Sequence, residues 1–141
     1  MTTGAPEAST GWQLEGSAAD AYERYLVPVI FEAAAERLVE RAGIRSGDRV
    51  LDVACGTGVV ARAASRRVGP GGEVIGVDIN GEMLATARRV AEGEGLGVVW
   101  READASSLPF EDGGFDAVLC QEAIQFFPDP VGALREMRRV A

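Results

Sequence analysis

Residues 50–58 read Val50-Leu51-Asp52-Val53-Ala54-Cys55-Gly56-Thr57-Gly58, and this stretch decides the fold. A mostly apolar run ends in a glycine turn, and the helix-compatible segment 59–64 follows directly. A strand that ends in Gly-x-Gly and continues as a helix is typical of the ligand loop of α/β proteins. Gly56 and Gly58 allow a sharp turn, and we expect them to leave room for a ligand where a Cβ atom would intrude. The amide groups that begin the next helix would face that ligand.

Length and composition predict one cytoplasmic globular domain. The 141 residues are 47% hydrophobic, which is enough for a core and too many for a disordered chain. No run approaches the roughly 20 apolar residues that span a bilayer, and residues 1–10 lack a signal-peptide pattern. The net charge of −8 opposes binding to nucleic acid or to an anionic membrane. All 14 basic residues are arginine, which indicates a GC-rich, bacterial coding sequence.

Two cysteines, Cys55 and Cys120, are each expected at the end of a strand. Because the chain has no histidine, two thiols make a metal cluster improbable, and we predict no metal site. Reduced, buried thiols in a cytosolic protein are the expected state.

The N-terminal part is predicted to be a tail followed by two helices. Residues 1–13 are small and polar, and we expect a flexible tail before a single domain over residues 14–141. The first helix should run through Tyr25 and stop at Pro28, because proline lacks an amide hydrogen and clashes with the preceding turn. Pro28 would then begin the second helix.

The rest of the chain alternates strands with helices. This order predicts a Rossmann-like, doubly wound parallel sheet with strand order 3-2-1-4. A ligand is then expected at the carboxyl ends of the strands, near the switch point between strands 1 and 4. The predicted strands cover residues 49–54, 73–77, 97–101 and 115–120. One helix is predicted over about residues 59–68, and a second is predicted to be capped by Asn80. A third is predicted to be capped by Asp129 and to start at Pro130.

Three acidic residues occupy consecutive strand ends: Asp52 in strand 1, Asp78 at the end of strand 2, and Asp104 after strand 3. Asp78 follows Gly58 by 20 residues (78 − 58), the spacing between the glycine loop and the ribose carboxylate in nucleotide folds. Asp104 lies one strand further out, where its carboxylate can accept a hydrogen bond from an adenine amine. The row predicts an adenosine-containing ligand.

Ile79 and Met83 offer apolar surface beside this row. They are candidates to contact a purine ring, and an ordinary place in the core is the alternative interpretation.

Four segments, in order, resemble the motifs of class I S-adenosylmethionine-dependent methyltransferases. The first motif is matched by residues 50–58 and the second by residues 76–79 (Gly-Val-Asp-Ile). The pattern is similar to the branch that methylates quinone precursors and diverse small metabolites, and it runs from about Tyr22 to the C-terminus. The third and fourth motifs are matched by residues 103–105 (Ala-Asp-Ala) with 108–110 (Leu-Pro-Phe), and by 115–118 (Phe-Asp-Ala-Val) with 121–127 (Gln-Glu-Ala-Ile-Gln-Phe-Phe).

The resemblance implies S-adenosylmethionine as cofactor, S-adenosylhomocysteine as product, and a small-molecule methyl acceptor. It also implies roles for residues near the turn, and it makes Tyr22 or Tyr25 a candidate to close the pocket. The implied cofactor-binding residues are Asp52 and the carbonyl near Ala54 for the ammonium group, Gly56, Thr57 and Gly58 for the methionine part, Asp78 for the ribose, Ile79 with Met83 for the adenine face, Asp104 with the Ala105 amide for the adenine edge, and Gln121 beside the sulfonium.

Methyl transfer from a sulfonium requires alignment of the acceptor and exclusion of water more than it requires a general base. Because the chain has no histidine, any base would be a carboxylate such as Glu122, a tyrosine, or solvent, and we assign no catalytic residue.

Members of the family normally continue past a helix like residues 131–140 into three further strands. We therefore expect this chain to be a fragment that carries the cofactor half of the site and turns over slowly or not at all. Strand 4 would be left as a sheet edge, and self-association through that edge is a further expectation.

Two alternative functions remain open at this level. Gly56-x-Gly58-x-x-Ala61 also fits the dinucleotide fingerprint of a nicotinamide oxidoreductase, although Asp52 and Asp104 argue against it. The second alternative is a non-catalytic module that binds S-adenosylmethionine.

Overall fold

The computed structural model describes residues 17–141, and the predicted tail over residues 1–13 lies outside them. Helices and strands alternate after an N-terminal helical region, as predicted. In chain order the elements are α1 (Ser17–Ala21), a π-helix (Tyr22–Phe31), α2 (Glu32–Arg41), β1 (Arg49–Val53), α3 (Val59–Val68), β2 (Glu73–Asp78), α4 (Gly81–Gly93), β3 (Val99–Glu102), β4 (Ala117–Leu119), a 3₁₀ helix (Ile124–Phe126) and α5 (Pro130–Val140).

The four strands form one parallel sheet in the order β3-β2-β1-β4, which confirms the predicted topology. In the register, Leu51 of β1 lies beside Ile75 of β2 and Val118 of β4. The chain therefore reverses its winding direction beside β1, and the carboxyl ends of β1 and β4 flank the switch point where a ligand crevice forms in such sheets.

Alternation along β1 decides which residues face the site. Leu51 and Val53 point into the core cluster that contains Val140 of α5, whereas Val50 points into the cluster that contains α3. Because successive side chains alternate between faces, Asp52 lies on the α3 side with Val50.

The last helix holds the long loop between β3 and β4. Two nitrogens of the Arg139 guanidinium donate to the carbonyls of Leu108 (2.9 Å) and Phe110 (2.8 Å), and Glu136 accepts from the Leu108 amide at 2.8 Å. These bonds fix the Leu-Pro-Phe turn against α5, on the face of the sheet that carries Leu51 and Val53.

The N-terminal helices differ from the prediction. The helix does not stop before Pro28. It continues through Pro28 as a π-helix (Tyr22–Phe31), which joins α1 to α2 without a break. A wider helical turn accommodates a residue that cannot donate a hydrogen bond, and π-helical segments occur often at functional sites.

Within residues 17–141, β4 pairs only with β1 and is three residues long, shorter than the predicted 115–120. The strand starts later than predicted because the Phe115 amide donates to the Val140 carbonyl of α5. In this part of the chain, no helix has both the length and the apolar character needed to cross a bilayer, and no cluster of three His, Cys, Asp or Glu residues could hold a metal ion.

Candidate functional site

The turn after β1 has an unusual backbone. Ala54, Gly56 and Gly58 have φ angles of 54°, 54° and 86°. Left-handed conformations are accessible to glycine, but they cost an alanine about 1–2 kcal/mol. Strain of this kind persists only where the surroundings enforce it, and it is concentrated at binding sites.

Hydrogen bonds from three directions hold the turn. The Gly58 amide donates to the Cys55 carbonyl at 2.9 Å, which closes the turn on itself. The Gly56 amide donates to Asp78 Oδ2 at 2.8 Å, and Arg62 Nη1 donates to the Thr57 carbonyl at 2.6 Å. The turn is thus built before any ligand enters.

The two glycines of the turn serve different purposes. A Cβ atom on Gly56 would meet nothing within 4 Å, so this glycine faces open space. A Cβ atom on Gly58 would lie 2.4 Å from Cη2 of Trp100, and one on Gly76 would lie 2.6 Å from Cζ3 of the same ring. The expectation that Gly58 leaves room for a ligand is therefore corrected, because the indole of Trp100 occupies that space.

Asp52 is buried beneath the turn, with 1% of its surface exposed. Its Oδ2 accepts a hydrogen bond from the Ala61 amide in the first turn of α3 at 3.0 Å. Burial raises the pKa of this carboxyl to about 8, and the negative charge of Asp78 adds to the effect, while the Ala61 amide and Arg62 oppose it. Asp52 thus satisfies a helix amide that would otherwise lack a partner.

Asp78 lies at the end of β2 with both carboxylate oxygens already engaged. Oδ2 accepts from the Gly56 amide and Oδ1 accepts from the Asn80 amide, each at 2.8 Å. Burial raises its pKa, although the amides of Asn80 and Gly56 oppose the shift. Because each carboxylate oxygen has two lone pairs, this carboxylate can still accept hydrogen bonds from ligand hydroxyls.

The outer part of the acidic row is more exposed. Asp104 Oδ1 accepts from the Ser106 amide at 2.8 Å and from its hydroxyl at 2.7 Å, and these bonds lower the pKa of Asp104. Ala105, next to it, is half-buried. Ile79 is 66% exposed, whereas Met83 is buried in the first turn of α4. Ile79 therefore offers an open apolar surface beside Asp78, and Met83 offers little.

Gln121 follows β4 and reaches the N-terminal helices. Its Nε2 donates to the Phe31 carbonyl at 3.1 Å, which fixes the orientation of the side-chain amide. Within the described part of the chain, Gln121 Oε1 is buried without a hydrogen-bond partner, and Thr57 Oγ1 is in the same state. The next residue, Glu122, has a positive φ of 53°, a second strained position at a strand end.

Of the two tyrosines, Tyr22 is half-buried and Tyr25 is exposed. Tyr22 stacks on Phe31 with a centroid distance of 5.5 Å. Burial raises the pKa of its hydroxyl, and the negative charges of Glu23, Asp78 and Glu122 raise it further. Tyr25 is 62% exposed and lies beneath Arg24.

Sequence reasoning missed three residues of this region: Glu23, Arg62 and Trp100. Arg62 carried the clearest signal, since it is a charged residue within a run of valines and alanines, residues 59–64. Trp100 carried no sequence signal, because it fills the space beside Gly58 and Gly76, which are distant from it in sequence.

Cys55 and Cys120 are both free thiols, the first buried and the second half-buried. Burial raises the pKa of Cys55 and raises that of Cys120 to about 11. The prediction of two buried thiols therefore holds for Cys55, whereas Cys120 is only half-buried.

Comparison with known proteins assigns the class. The sequence matches the model of the "Methyltransferase domain" family over residues 50–141. A demethylmenaquinone methyltransferase of Thermus thermophilus is 47% identical over 104 residues, which are 74% of this chain and 47% of that protein. This chain therefore belongs to the methyltransferase domain family, and it spans about half the length of the curated relatives it matches.

Solved structures agree with this assignment. The YcgJ protein of Bacillus subtilis superposes with a TM-score of 0.71 at 37% identity, covering 77% of this chain and 46% of the other. A SAM-dependent methyltransferase from Aquifex aeolicus superposes with a TM-score of 0.78 at 25% identity, covering 92% and 68%. The predicted Rossmann-like fold and the predicted family are both confirmed.

Proposed function

We propose that this chain binds S-adenosylmethionine at the carboxyl edge of its sheet and carries the cofactor half of a methyltransferase for small molecules. The observation that carries the proposal is the hydrogen bond from the Gly56 amide to the Asp78 carboxylate. It fixes a ribose-binding carboxylate against a glycine turn that faces open space at Gly56.

The residues present fit an adenosine with an amino-acid tail. Asp78 has spare lone pairs for the ribose hydroxyls, and the exposed face of Ile79 suits the adenine ring. Asp104 and the Ala105 amide are proposed to contact the adenine edge. The buried oxygens Thr57 Oγ1 and Gln121 Oε1, which lack partners within residues 17–141, suit hydrogen-bond donors on the tail.

The charges at this edge favour a cationic ligand over a dinucleotide. Burial raises the pKa of the Tyr22 hydroxyl, and the negative charges of Glu23, Asp78 and Glu122 raise it further. Because Glu23 is paired with Arg62, the negative charges that a ligand meets here are those of Asp78 and Glu122. These charges attract a sulfonium and an ammonium group, and they repel the pyrophosphate of a nicotinamide cofactor. We propose that the ammonium group lies near Asp52 and the Ala54 carbonyl.

When bound, the cofactor supplies an activated methyl group on a cationic sulfur. The residues of this chain bind and orient that group, and Tyr22 and Gln121 restrict access of water to it from the N-terminal side. We assign no proton transfer to any residue.

We propose a quinone-like or other small aromatic acceptor. The support is the name of the Thermus thermophilus relative, demethylmenaquinone methyltransferase, together with the matched family. The net charge of −8 opposes nucleic acid as an alternative acceptor.

We further propose a cytoplasmic location in a bacterium. Two unpaired thiols, Cys55 and Cys120, suit a reducing compartment. The all-arginine basic residues suit a GC-rich bacterial gene.

Self-association through β4 is also proposed. A groove of about 470 Å³ runs beside this edge strand and is lined by Leu119 of β4 and by Leu134 and Met137 of α5. An edge strand next to apolar surface tends to pair with another chain. Light scattering after size-exclusion chromatography tests this, and a monomer at high concentration would contradict it.

Calorimetric titration tests the cofactor. S-adenosylhomocysteine is expected to bind the wild-type chain and NADH is not. Binding of NADH with no binding of S-adenosylhomocysteine would overturn the proposal. Methyl transfer to a quinone precursor, assayed on the same preparation, separates an enzyme from a module that only binds.

A further inference from the structure

The N-terminal helices lie across the carboxyl edge of the sheet and are attached at three points. Asp20 accepts a hydrogen bond from Thr86 of α4 at 2.8 Å, beside an ion pair with Arg89. At the other end, the Phe31 carbonyl accepts from Gln121 after β4. Residues 18–31, which we call the cover, therefore bridge the site from α4 to β4.

The third attachment lies between these two and is a buried ion pair. Arg62 Nη2 donates to Glu23 Oε1 at 2.5 Å, and the side chains are only 6% and 15% exposed. The other end of the same guanidinium, Nη1, donates to the Thr57 carbonyl at 2.6 Å. One planar group thus joins the cover to the glycine turn.

A pair of this kind contributes little net stability, because the cost of removing two charges from water offsets their attraction. Its geometric effect is larger, since the guanidinium is rigid and binds Glu23 and the Thr57 carbonyl in fixed directions. A third partner, Glu94 at the C-terminal end of α4, lies with its Oε1 3.6 Å from Arg62 Nε. Arg62 is also the residue that begins the second turn of α3, with its own amide bonded to the Gly58 carbonyl at 2.9 Å. Movement of the turn therefore moves the guanidinium and with it Glu23.

We propose that Arg62 is a positioning residue, which holds the glycine turn and the cover in the ligand-binding arrangement together through Thr57 and Glu23. This proposal rests on the proposed function, in that the ligand is the cofactor at this edge. Two consequences follow. Loosening the cover loosens the turn, and a ligand bound at the turn orders the cover.

The experiment compares Arg62→Gln with Arg67→Gln. Arg67 lies on the same helix and is exposed, so it is a matched control. Arg66 is unsuitable because it shares the Glu94 carboxylate with Arg62. Hydrogen–deuterium exchange of the unliganded chain is expected to rise in residues 18–31 and 54–58 for the Arg62 variant only. Titration with S-adenosylhomocysteine is expected to show about tenfold weaker binding for Arg62→Gln and a change within about twofold for the control.

Two further variants separate positioning from general loss of structure. Glu23→Gln preserves the shape of the side chain, and it should increase exchange in the cover without affecting α5. The double variant Glu23→Gln/Arg62→Gln should bind no more weakly than Arg62→Gln alone, because both changes break one connection. Arg62→Lys retains the charge but lacks the planar guanidinium that holds two acceptors in fixed directions, so its affinity should fall between those of wild type and Arg62→Gln.

The proposal is overturned if exchange and affinity of Arg62→Gln match those of the control, or if the two single effects add. Should Arg62→Gln fail to fold, Glu23→Gln and Arg62→Lys decide by the same criteria. If the wild-type chain does not bind S-adenosylhomocysteine, the proposed function fails. The exchange comparison on unliganded protein still decides the role of Arg62.

Discussion

Asp78 Oδ2 accepts a hydrogen bond from the Gly56 amide at 2.8 Å, so the end of β2 holds the turn that ends β1. Asp78, the residue proposed to bind the ribose, therefore also supports the turn proposed to bind the methionine part of the cofactor. A change at Asp78 should affect the whole cofactor site and not the ribose alone.

Asp78→Ala is expected to weaken S-adenosylhomocysteine binding by about 10- to 100-fold, because hydrogen bonds to a charged group contribute about 1.5–3 kcal/mol each. Calorimetric titration measures this. Glu40→Ala, an exposed change on α2, is the control and should bind as wild type. Equal affinity of the Asp78 variant and wild type would show that the ribose assignment is wrong.

Gly58→Ala should destabilise the chain far more than Gly56→Ala. A Cβ atom at position 58 collides with the rigid indole of Trp100, whereas one at position 56 meets only open space and adds backbone strain of about 1–2 kcal/mol. Urea unfolding measures both free energies. Trp100→Val in the Gly58→Ala background should recover part of the loss, and equal destabilisation by the two alanines would contradict the packing.

Asp52→Asn should gain stability relative to wild type as the pH rises. The Asp52 pKa is raised from 3.8 to about 8, so the folded state binds this proton more tightly than the unfolded state does. Its contribution is complete below about pH 3.8 and is lost as the pH rises through 8. Asparagine can still accept from Ala61 and does not ionise. Unfolding free energies at pH 5, 6, 7 and 8 should diverge between the two proteins, and a constant difference would show that Asp52 is ionised throughout.

Cofactor binding near pH 7 should release protons from the same residue. A ligand ammonium beside Asp52 stabilises the carboxylate and lowers its pKa from about 8. Titration enthalpies of S-adenosylhomocysteine in buffers with different ionisation enthalpies count the protons. The release should vanish in Asp52→Asn, and release that persists in that variant would place its source elsewhere.

Both thiols should be slow to react in the folded chain. At pH 7.5 the shift of the Cys120 pKa from 9.0 to about 11 leaves roughly 100-fold less thiolate than in an unburied cysteine, and Cys55 is also buried. Modification by a thiol-specific disulfide reagent should become fast only in denaturant. Rapid labelling of either cysteine in native buffer would contradict the burial described.

Local patterns predicted most of the sheet and its helices. Asn80 caps α4 through bonds from the amides of Glu82 and Met83, and Asp129 caps α5 through the amide of Gly132, because side-chain caps depend on residues only two or three positions away. The strand order followed from the alternation of strands and helices, and it too was correct.

The rest depended on distant contacts. Pro28 was predicted to stop a helix, but packing of the N-terminal region over the sheet carries the chain through it as a π-helix. Asp52 was identified from its motif, and its bond to Ala61 appears only once β1 and α3 are in register. Roles for the residues that would touch the cofactor remain predictions.

The stacking of Trp100 over Gly58 and Gly76 gives the chain a built-in optical probe. The sequence contains two tryptophans, Trp12 and Trp100. With Trp12 replaced by phenylalanine, all indole emission would arise from Trp100, whose ring packs on Gly58 directly before α3. Any ligand that shifts the glycine turn would then change the wavelength or intensity of that emission, so occupancy of the site can be followed in real time without a label.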